Sequence, residues 1–242
     1  MSDTLRAPDT YSPPEIPTIG ISLASETDRF MQRVYAWMAF ALVVSWGVAF
    51  YISNDLTLVN LIFDTGLFMP LIFVELGLVL GLSWLIQKMN ATLAMILFIL
   101  YAVVTGLTLS VIFLVYQLGS IVSIFGVTAL IFAAMSAYGY STKRDLTGIG
   151  TLAIFGLFGI VIAWLINLFL QNTLADFIIS IVGVVVFIAL TAYDTQKIKA
   201  MNIIGNEGTD EDKKEAIMGA LTLYLDFINL FLKLLSLFGK KK

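Results

Sequence analysis

The chain has 242 residues, of which 59% are hydrophobic and 13% are charged, and its formal net charge at pH 7 is −3. Its mean hydropathy of +0.94 is far too high for a soluble domain of this length, so the composition predicts an integral membrane protein. Cysteine and histidine are both absent, which excludes disulfides, metal sites built on thiolate or imidazole ligands, and histidine-based catalytic triads.

The first part of the chain, residues 1–28, contains four of the five prolines and no apolar run. This stretch offers too little apolar surface to offset the entropy lost on ordering, so it is predicted to form a disordered N-terminal tail. No apolar core follows a basic start, which argues against a signal peptide.

Seven apolar segments follow the tail, and each is long enough for a helix to cross the hydrocarbon core. The sequence lacks the repeated alternation of polar and apolar residues that a membrane barrel requires. Residues 29–239 are therefore predicted to form an all-α transmembrane domain, a bundle of seven helices. The segments are 30–52, 67–87, 91–116, 121–140, 147–170, 177–197 and 216–238.

Lysine and arginine lie on alternate connections between the segments, which sets the predicted orientation. The other three connections carry no basic residue. Because positive residues stay in the cytoplasm, the N-terminal tail and the basic connections are predicted to be cytoplasmic. The basic residues on these connections are Lys88, Lys143, Arg144, Lys197, Lys199, Lys213 and Lys214.

The last segment leaves two topologies open. A full crossing places Lys240, Lys241 and Lys242 across the membrane, against the positive-charge rule, whereas a re-entrant segment would return them to the cytoplasm. Residues 216–238 are long enough to span with a modest tilt, so full crossing is the favoured prediction.

Four charged residues interrupt the apolar segments: Glu75, Asp194, Asp226 and Lys233. Each costs about 2.5–3.5 kcal/mol near the centre of a spanning helix, so contact with lipid is not expected. Asp226, Asn229 and Lys233 share one face of a helix. This face is predicted to line a polar ion pathway, to which Glu75 also contributes.

Asp194 and Asp226 are predicted to meet in the cytoplasmic half of the bundle. Asp194 lies near the cytoplasmic end of its segment, and Asp226 lies about 15 Å along the next one. A shallow loop or a helix tilt would bring the two together. Two carboxyl groups within hydrogen-bonding distance in a low dielectric cannot both ionise cheaply, so the pair would share a proton and act as a proton-sensitive latch.

Simpler roles stay open for these residues. Asp194 precedes Lys197 by one helical turn and could form an interfacial ion pair with it. Asp226 could be neutralised within its own helix by Lys233 or Asn229. Glu75 could be protonated and packed in its segment.

The stretch "EGTDEDKKE" before the last segment lacks the ligand spacing of a calcium loop, so it is interpreted as a solvated connector.

The stretch "AYDTQKIK" at the end of the sixth segment and "LYLDFINLFLKLLSLFG" at the C-terminus resemble the transmembrane Bax inhibitor motif family, in particular its bacterial members. The resemblance extends over residues 29–239. It implies a seven-helix bundle in the bacterial inner membrane, with the last helix central and wrapped by the other six. The family's paired aspartates fall on Asp194 and Asp226, and an acidic residue of the second helix falls on Glu75.

Members of this family are described as calcium-leak channels gated by protons, and some bacterial members as modulators of a membrane-anchored ATP-dependent protease. The resemblance therefore implies a pH-sensitive calcium leak gated by Asp194 and Asp226 on the cytoplasmic side, with Ca²⁺ as the transported ion and no cofactor. The implied partners are the lipid bilayer and such a protease. Relatives carry an arginine near the end of the second helix; here Ile86 stands at that position, and Lys88 is the nearest cation that could act as the latch.

Other classes of function fit the buried charges less well. Buried carboxylates also serve proton-coupled transporters. Two intramembrane aspartates also describe an aspartyl protease, but the second one lies in "YLDF" rather than in a GxGD motif, so no enzymatic activity is predicted. The main alternative is an interaction protein that binds and restrains a membrane protease.

Overall fold

The computed structural model describes the backbone of residues 19–242 and the side chains of residues 25–242. Among the described residues, seven helices are long and apolar enough to cross a membrane, which confirms the predicted fold class. An additional short helix, α2, lies in the first connection, and one turn of 3₁₀ helix, Ile86–Lys88, follows α3. The helices are α1 (Ile19–Ser53), α2 (Leu56–Phe63), α3 (Phe68–Leu85), α4 (Ala91–Val115), α5 (Leu118–Ser141), α6 (Thr147–Leu170), α7 (Thr173–Met201) and α8 (Asp210–Phe238).

The first helix begins before the predicted domain boundary at residue 29. Helix α1 includes residues 19–28, which were assigned to the disordered tail, whereas residues 1–18 lie outside the described part of the chain. Tertiary contacts explain the earlier start, because Glu26 Oε1 accepts a hydrogen bond of 2.8 Å from the backbone N–H of Gly205 in the α7–α8 loop. The tail composition did not reveal this anchor.

Helix α2 was not predicted, since its residues belong to a connection. Asp55 caps its start by accepting hydrogen bonds from the N–H groups of Thr57 at 2.9 Å and Leu58 at 3.3 Å. Leu56 and Leu61 are exposed, which suits a short helix lying against the membrane interface.

Helix α8 has the largest buried share of the seven spanning helices in the described chain. It packs against α1, α4, α5 and α7, whereas α3 packs mainly on α4 and α6 packs mainly on α7. A central position of α8 inside all six other helices goes beyond these contacts and stays a prediction.

Helix α8 crosses the whole bundle beside α4. At its start, the Asp210 carboxylate accepts hydrogen bonds of 3.1 and 3.0 Å from the first N–H of α4, that of Ala91. Beyond its end, the N–H of Lys242 donates to the carbonyl of Val115, the last residue of α4, at 2.9 Å. Helix α8 therefore runs unbroken from one end of α4 to the other, as a full crossing predicts, whereas a re-entrant segment would bring both of its ends to the same end of α4. Its crossing of the membrane stays a prediction.

These contacts define two ends of the bundle. The polar end carries the α3–α4 turn, the α5–α6 loop and the α7–α8 loop, and the far end carries α2, the α4–α5 connection and the C-terminus. At the polar end, α5 and α7 approach closely at Gly139, where an added Cβ would overlap the backbone carbonyl of Ala192. This close approach helps to set the position of the neighbouring Asp194 on α7.

Candidate functional site

The carboxyl groups of Asp194 and Asp226 lie within hydrogen-bonding reach of each other, at the packed interface of α7 and α8. Asp194 lies about 10 Å before the end of α7, and Asp226 lies about 24 Å from the start of α8. Asp226 is 4% exposed, whereas Asp194 is partly exposed. The structure therefore brings together the two residues that helix depth had paired.

The pairing of two carboxyl groups has a direct chemical consequence. Two carboxylates at hydrogen-bonding range repel each other, and a hydrogen bond between them requires that one carry a proton. Oxygen Oδ2 of Asp226 is buried and has no hydrogen-bond partner among the described residues. Because this oxygen is buried at the helix contact, the protonation of the pair and the packing of α7 on α8 depend on each other.

The simpler roles predicted for these aspartates are not seen in the described part of the chain. Within the described residues neither aspartate forms an ion pair. Lys197 interacts with Asp194 only through longer-range electrostatics, and its Nζ lies 5.9 Å from the centre of the Tyr193 ring. The Asn229 amide donates to the carbonyl of Leu225 in its own helix at 2.8 Å. Asp226 is thus paired with a carboxyl group rather than neutralised by a cation.

Lys233 lies farther along α8, towards the far end of the bundle. Its aliphatic stem packs on Gly183 of α7, which is about 16 Å from Asp194 along that helix. Its ammonium interacts electrostatically with Asp176, whose carboxylate accepts a hydrogen bond of 2.6 Å from the Asn167 amide. The structure therefore does not bring Lys233 to the aspartate pair.

Glu75 lies between α3 and α4, apart from the aspartate pair. The hydroxyl of Thr108 lies 3.3 Å from each of its two carboxylate oxygens and 2.9 Å from the carbonyl of Thr105. Glu75 also interacts electrostatically with Tyr101 on α4 and Tyr224 on α8. Since Tyr224 and Asp226 are two residues apart, they point to opposite sides of α8.

The polar group on that opposite side was missed by the sequence analysis. Tyr224 is fully buried, and its hydroxyl lies 2.7 Å from the hydroxyl of Ser45, which itself donates to the carbonyl of Ala102 at 2.6 Å. The ring of Tyr101 meets that of Tyr224 edge to face, with centroids 5.8 Å apart. The sequence offered one signal for this group, namely single serine and tyrosine residues within apolar runs. It could not show that the faces of α1, α4 and α8 that carry these residues meet.

A cluster of ion pairs at the polar end was also missed. Arg29 binds both carboxylate oxygens of Glu207 at 2.8 Å, and Arg33 contacts Glu207 at 3.1 Å. Arg33 also donates to both oxygens of Asp212, at 2.8 and 3.0 Å, and Asp212 is only 1% exposed. The interpretation of this acidic stretch as a solvated connector is therefore wrong for Asp212, which joins the start of α8 to α1.

The hydrogen bonds from Arg29 lower the pKa of the Glu207 carboxyl to about 2, with a further contribution from Arg33. Elsewhere, acidic groups are more dispersed. Within residues 25–242, no group of three or more acidic side chains is arranged to hold a metal ion.

Comparison with known proteins places the chain in a family. A model of the family described as inhibitor of apoptosis-promoting Bax1 matches residues 27–242. The chain belongs to the Bax inhibitor family. It is 48% identical over 215 residues to inner membrane protein YbhL of Escherichia coli K12, a match that covers 88% of this chain and 92% of that protein. The Bax inhibitor family is one of membrane proteins and not a known enzyme family.

Two further bacterial relatives of the Bax inhibitor family match over almost the same region. An uncharacterised protein of Rickettsia prowazekii is 44% identical over 215 residues, covering 88% of this chain and 90% of that protein. An uncharacterised protein of Borreliella burgdorferi is 43% identical over 216 residues, covering 89% and 93%. The similarity thus extends over all seven spanning helices.

The positions predicted for a cationic latch lie in the 3₁₀ turn after α3. Ile86, which the resemblance placed at the arginine position, is 8% exposed and belongs to the apolar core. Lys88 is exposed at the α3–α4 turn and forms no ion pair with a residue of the described chain. A latch between Lys88 and Asp194 therefore stays a prediction.

Proposed function

We propose that this chain is a proton-regulated cation pathway that lets Ca²⁺ cross the cell membrane down its gradient, with its N-terminus in the cytoplasm. The pairing of the Asp194 and Asp226 carboxyl groups between α7 and α8 is the observation that supports this proposal most directly. Carboxylate oxygens are also the ligands that Ca²⁺ prefers. No catalytic step and no cofactor are part of the proposal.

The proposed switch acts through the proton that the two carboxyl groups share. Loss of this proton leaves two adjacent negative charges, which repel each other across the α7–α8 interface. Gain of a second proton replaces the charge-assisted hydrogen bond with a weaker neutral one. Either change loosens the contact between α7 and α8, so the conductance depends on pH.

Other polar and charged residues would line the route in this proposal. Glu75 would offer oxygen ligands beside α4, Asn229 and Lys233 would continue the polar face of α8, and Lys88 would act as the mobile cation at the polar end. Lys233 and Asp176 together place both signs of charge near the far end of this route.

Calcium flux into proteoliposomes, measured from about pH 6 to about pH 8, tests the switch. The calcium flux of the wild type should change across this range. The pH dependence of the flux should be lost in Asp194→Asn and in Asp226→Asn, because the amide keeps the shape of the side chain but cannot ionise. Asp64→Asn removes the same charge from an exposed position after α2 and should behave as wild type. Unchanged flux in both aspartate variants would refute the switch.

A second candidate, an interaction protein that restrains a membrane-anchored ATP-dependent protease, is favoured by two contacts at the start of α1. The start of α1 is bound to the α7–α8 loop through Glu26 and Arg29, so a partner that pulled on the N-terminal tail would also act on α8. Deletion of residues 1–18 should then abolish co-purification of the protease while leaving calcium flux intact. Retained co-purification would argue against a role of the tail.

A further inference from the structure

A cavity of about 690 Å³ opens at the polar end of the bundle, away from the aspartate pair. Its walls come from the end of α3 and the following 3₁₀ turn, the last residue of α7, and the first two turns of α8. The volume falls within the range of small-molecule sites. The residues that line it and are used below are Trp84, Met201, Glu211, Lys214, Glu215 and Met218.

The cavity contains a carboxylate that is incompletely hydrogen-bonded. Glu215 lines the cavity and is half-buried, and the Asn206 side chain interacts with it, but its Oε2 has no hydrogen-bond partner among the described residues. A buried acceptor of this kind is costly unless a donor reaches it. Since three acidic side chains do not converge here, an ammonium group that donates N–H bonds is a better ligand than a metal ion.

A positive side chain beside this carboxylate is also incompletely paired. Lys214 Nζ lies 3.7 Å from a Glu211 oxygen and 3.9 Å from an Asp210 oxygen, and both distances are longer than a hydrogen bond. Its N–H groups are therefore available to a negative group. A ligand that carries both an ammonium and an anionic group would match Glu215 and Lys214 together.

The remaining walls suit the apolar part of an amphiphile. Trp84 is 77% exposed, and Met201 and Met218 complete the apolar wall. Phe73, Leu76, Leu80 and Trp84 are all exposed and lie along one face of α3, leading from the cavity into the membrane. An acyl chain following this face would keep its headgroup at the cavity, where a tryptophan typically marks the membrane interface.

We propose that this cavity binds the headgroup of an ethanolamine phospholipid, with its primary ammonium on Glu215 and its phosphate on Lys214. The assignment requires a primary amine, because the trimethylated ammonium of a choline lipid has no N–H to donate to the carboxylate. The bound headgroup would connect α3, α7 and α8 at the polar end, where α3 otherwise packs mainly on α4.

Lipid binding to the purified full-length chain in detergent tests this proposal. Native mass spectrometry and Trp84 fluorescence would be followed during titration with dioctanoyl phosphatidylethanolamine, dioctanoyl phosphatidylcholine or free ethanolamine. The ethanolamine lipid should bind about tenfold more tightly than the choline lipid, as expected for one charge-assisted hydrogen bond. Trp84→Phe should remove the fluorescence response without removing the bound lipid from the mass spectrum.

Substitutions assign the preference to the cavity. Glu215→Gln should bring the ethanolamine lipid down to the affinity of the choline lipid, whereas Asp64→Asn, with the same change in charge, should leave both affinities unchanged. Equal affinities of the two lipids for the wild-type chain would overturn the proposal without recourse to any variant. Binding of free ethanolamine as tight as that of the lipid would overturn the assignment to a membrane headgroup.

Discussion

Asp194 and Asp226 pair their carboxyl groups across the α7–α8 interface even though one lies near the end of its helix and the other lies deep within the next. The distance of about 24 Å between Asp226 and the start of α8 reflects the two polar turns that precede the apolar part of that helix. Those turns carry Asp210 and Asp212, which bind α4 and α1. The pair is thus held at the contact of two helices whose polar ends are fixed independently.

The shared proton predicts a pH-dependent stability that a single amide removes. Asp226→Asn should fold, because the amide can donate to Asp194, but its thermal unfolding in detergent should vary less between about pH 6 and about pH 8 than that of the wild type. Asp64→Asn is the matched control, since it makes the same change at an exposed position after α2. An identical pH profile of wild type and Asp226→Asn would contradict a shared proton.

Arg33 should matter more for stability than Arg29, although both contact Glu207. Arg33→Ala leaves the buried Asp212 charge without its cationic partner and should lower the free energy of unfolding by about 3 kcal/mol. This value is at the lower end of the range for a broken buried ion pair, because Arg33 is one-third exposed. Arg29→Ala removes a solvent-exposed pair and should change the unfolding temperature little. Thermal unfolding of both variants measures the difference, and equal effects would contradict the buried role of Asp212.

Acid should release the start of α1 from the α7–α8 loop. The pKa of Glu207 in the folded chain is lowered to about 2, below the usual glutamate value of about 4.3. Its contribution to stability is therefore complete above about pH 4.3 and is lost as the pH falls through about 2. Hydrogen exchange of residues 25–33 should increase over this interval in the wild type, whereas Glu207→Gln should exchange faster already at neutral pH. Slow exchange of that variant at neutral pH would argue against the anchor.

A methyl group at Gly139 should disturb the α5–α7 contact. Gly139→Ala places a Cβ against the Ala192 carbonyl, and neither backbone can move away without repacking of the helices. The substitution should therefore lower the free energy of unfolding by about 1–3 kcal/mol. Gly126→Ala on the same helix meets no atom within 4 Å and should be neutral or slightly stabilising. Unfolding temperatures that rank the two variants the other way would place α5 farther from α7 than the structure has it.

Labelling from outside the cell tests both the crossing of α8 and the orientation. The chain has no cysteine, so a single introduced thiol reports one position. Lys241→Cys, at the far end, should react with an impermeant maleimide in intact cells, whereas Lys213→Cys, at the polar end, should react only after permeabilisation. Reaction of both in intact cells would contradict a crossing α8, and the reverse pattern would invert the proposed orientation.

The sequence by itself determined the seven spans, because each depends on a continuous apolar run that any bilayer would select. It also predicted the pairing of Asp194 with Asp226, since two costly charges in the cytoplasmic halves of consecutive helices have few other ways to avoid lipid. The full crossing of α8 was predicted from length alone, against the positive-charge rule.

Only the tertiary structure decided which faces of the helices meet. The burial of Asp212 against Arg33, the placement of Tyr224 on Ser45 and the convergence of Trp84 with Glu215 each join residues from distant segments. Hydropathy reports the depth of a residue in the membrane but not its rotation about the helix axis, because lipid and protein interior are both apolar and leave no periodic signal to separate them.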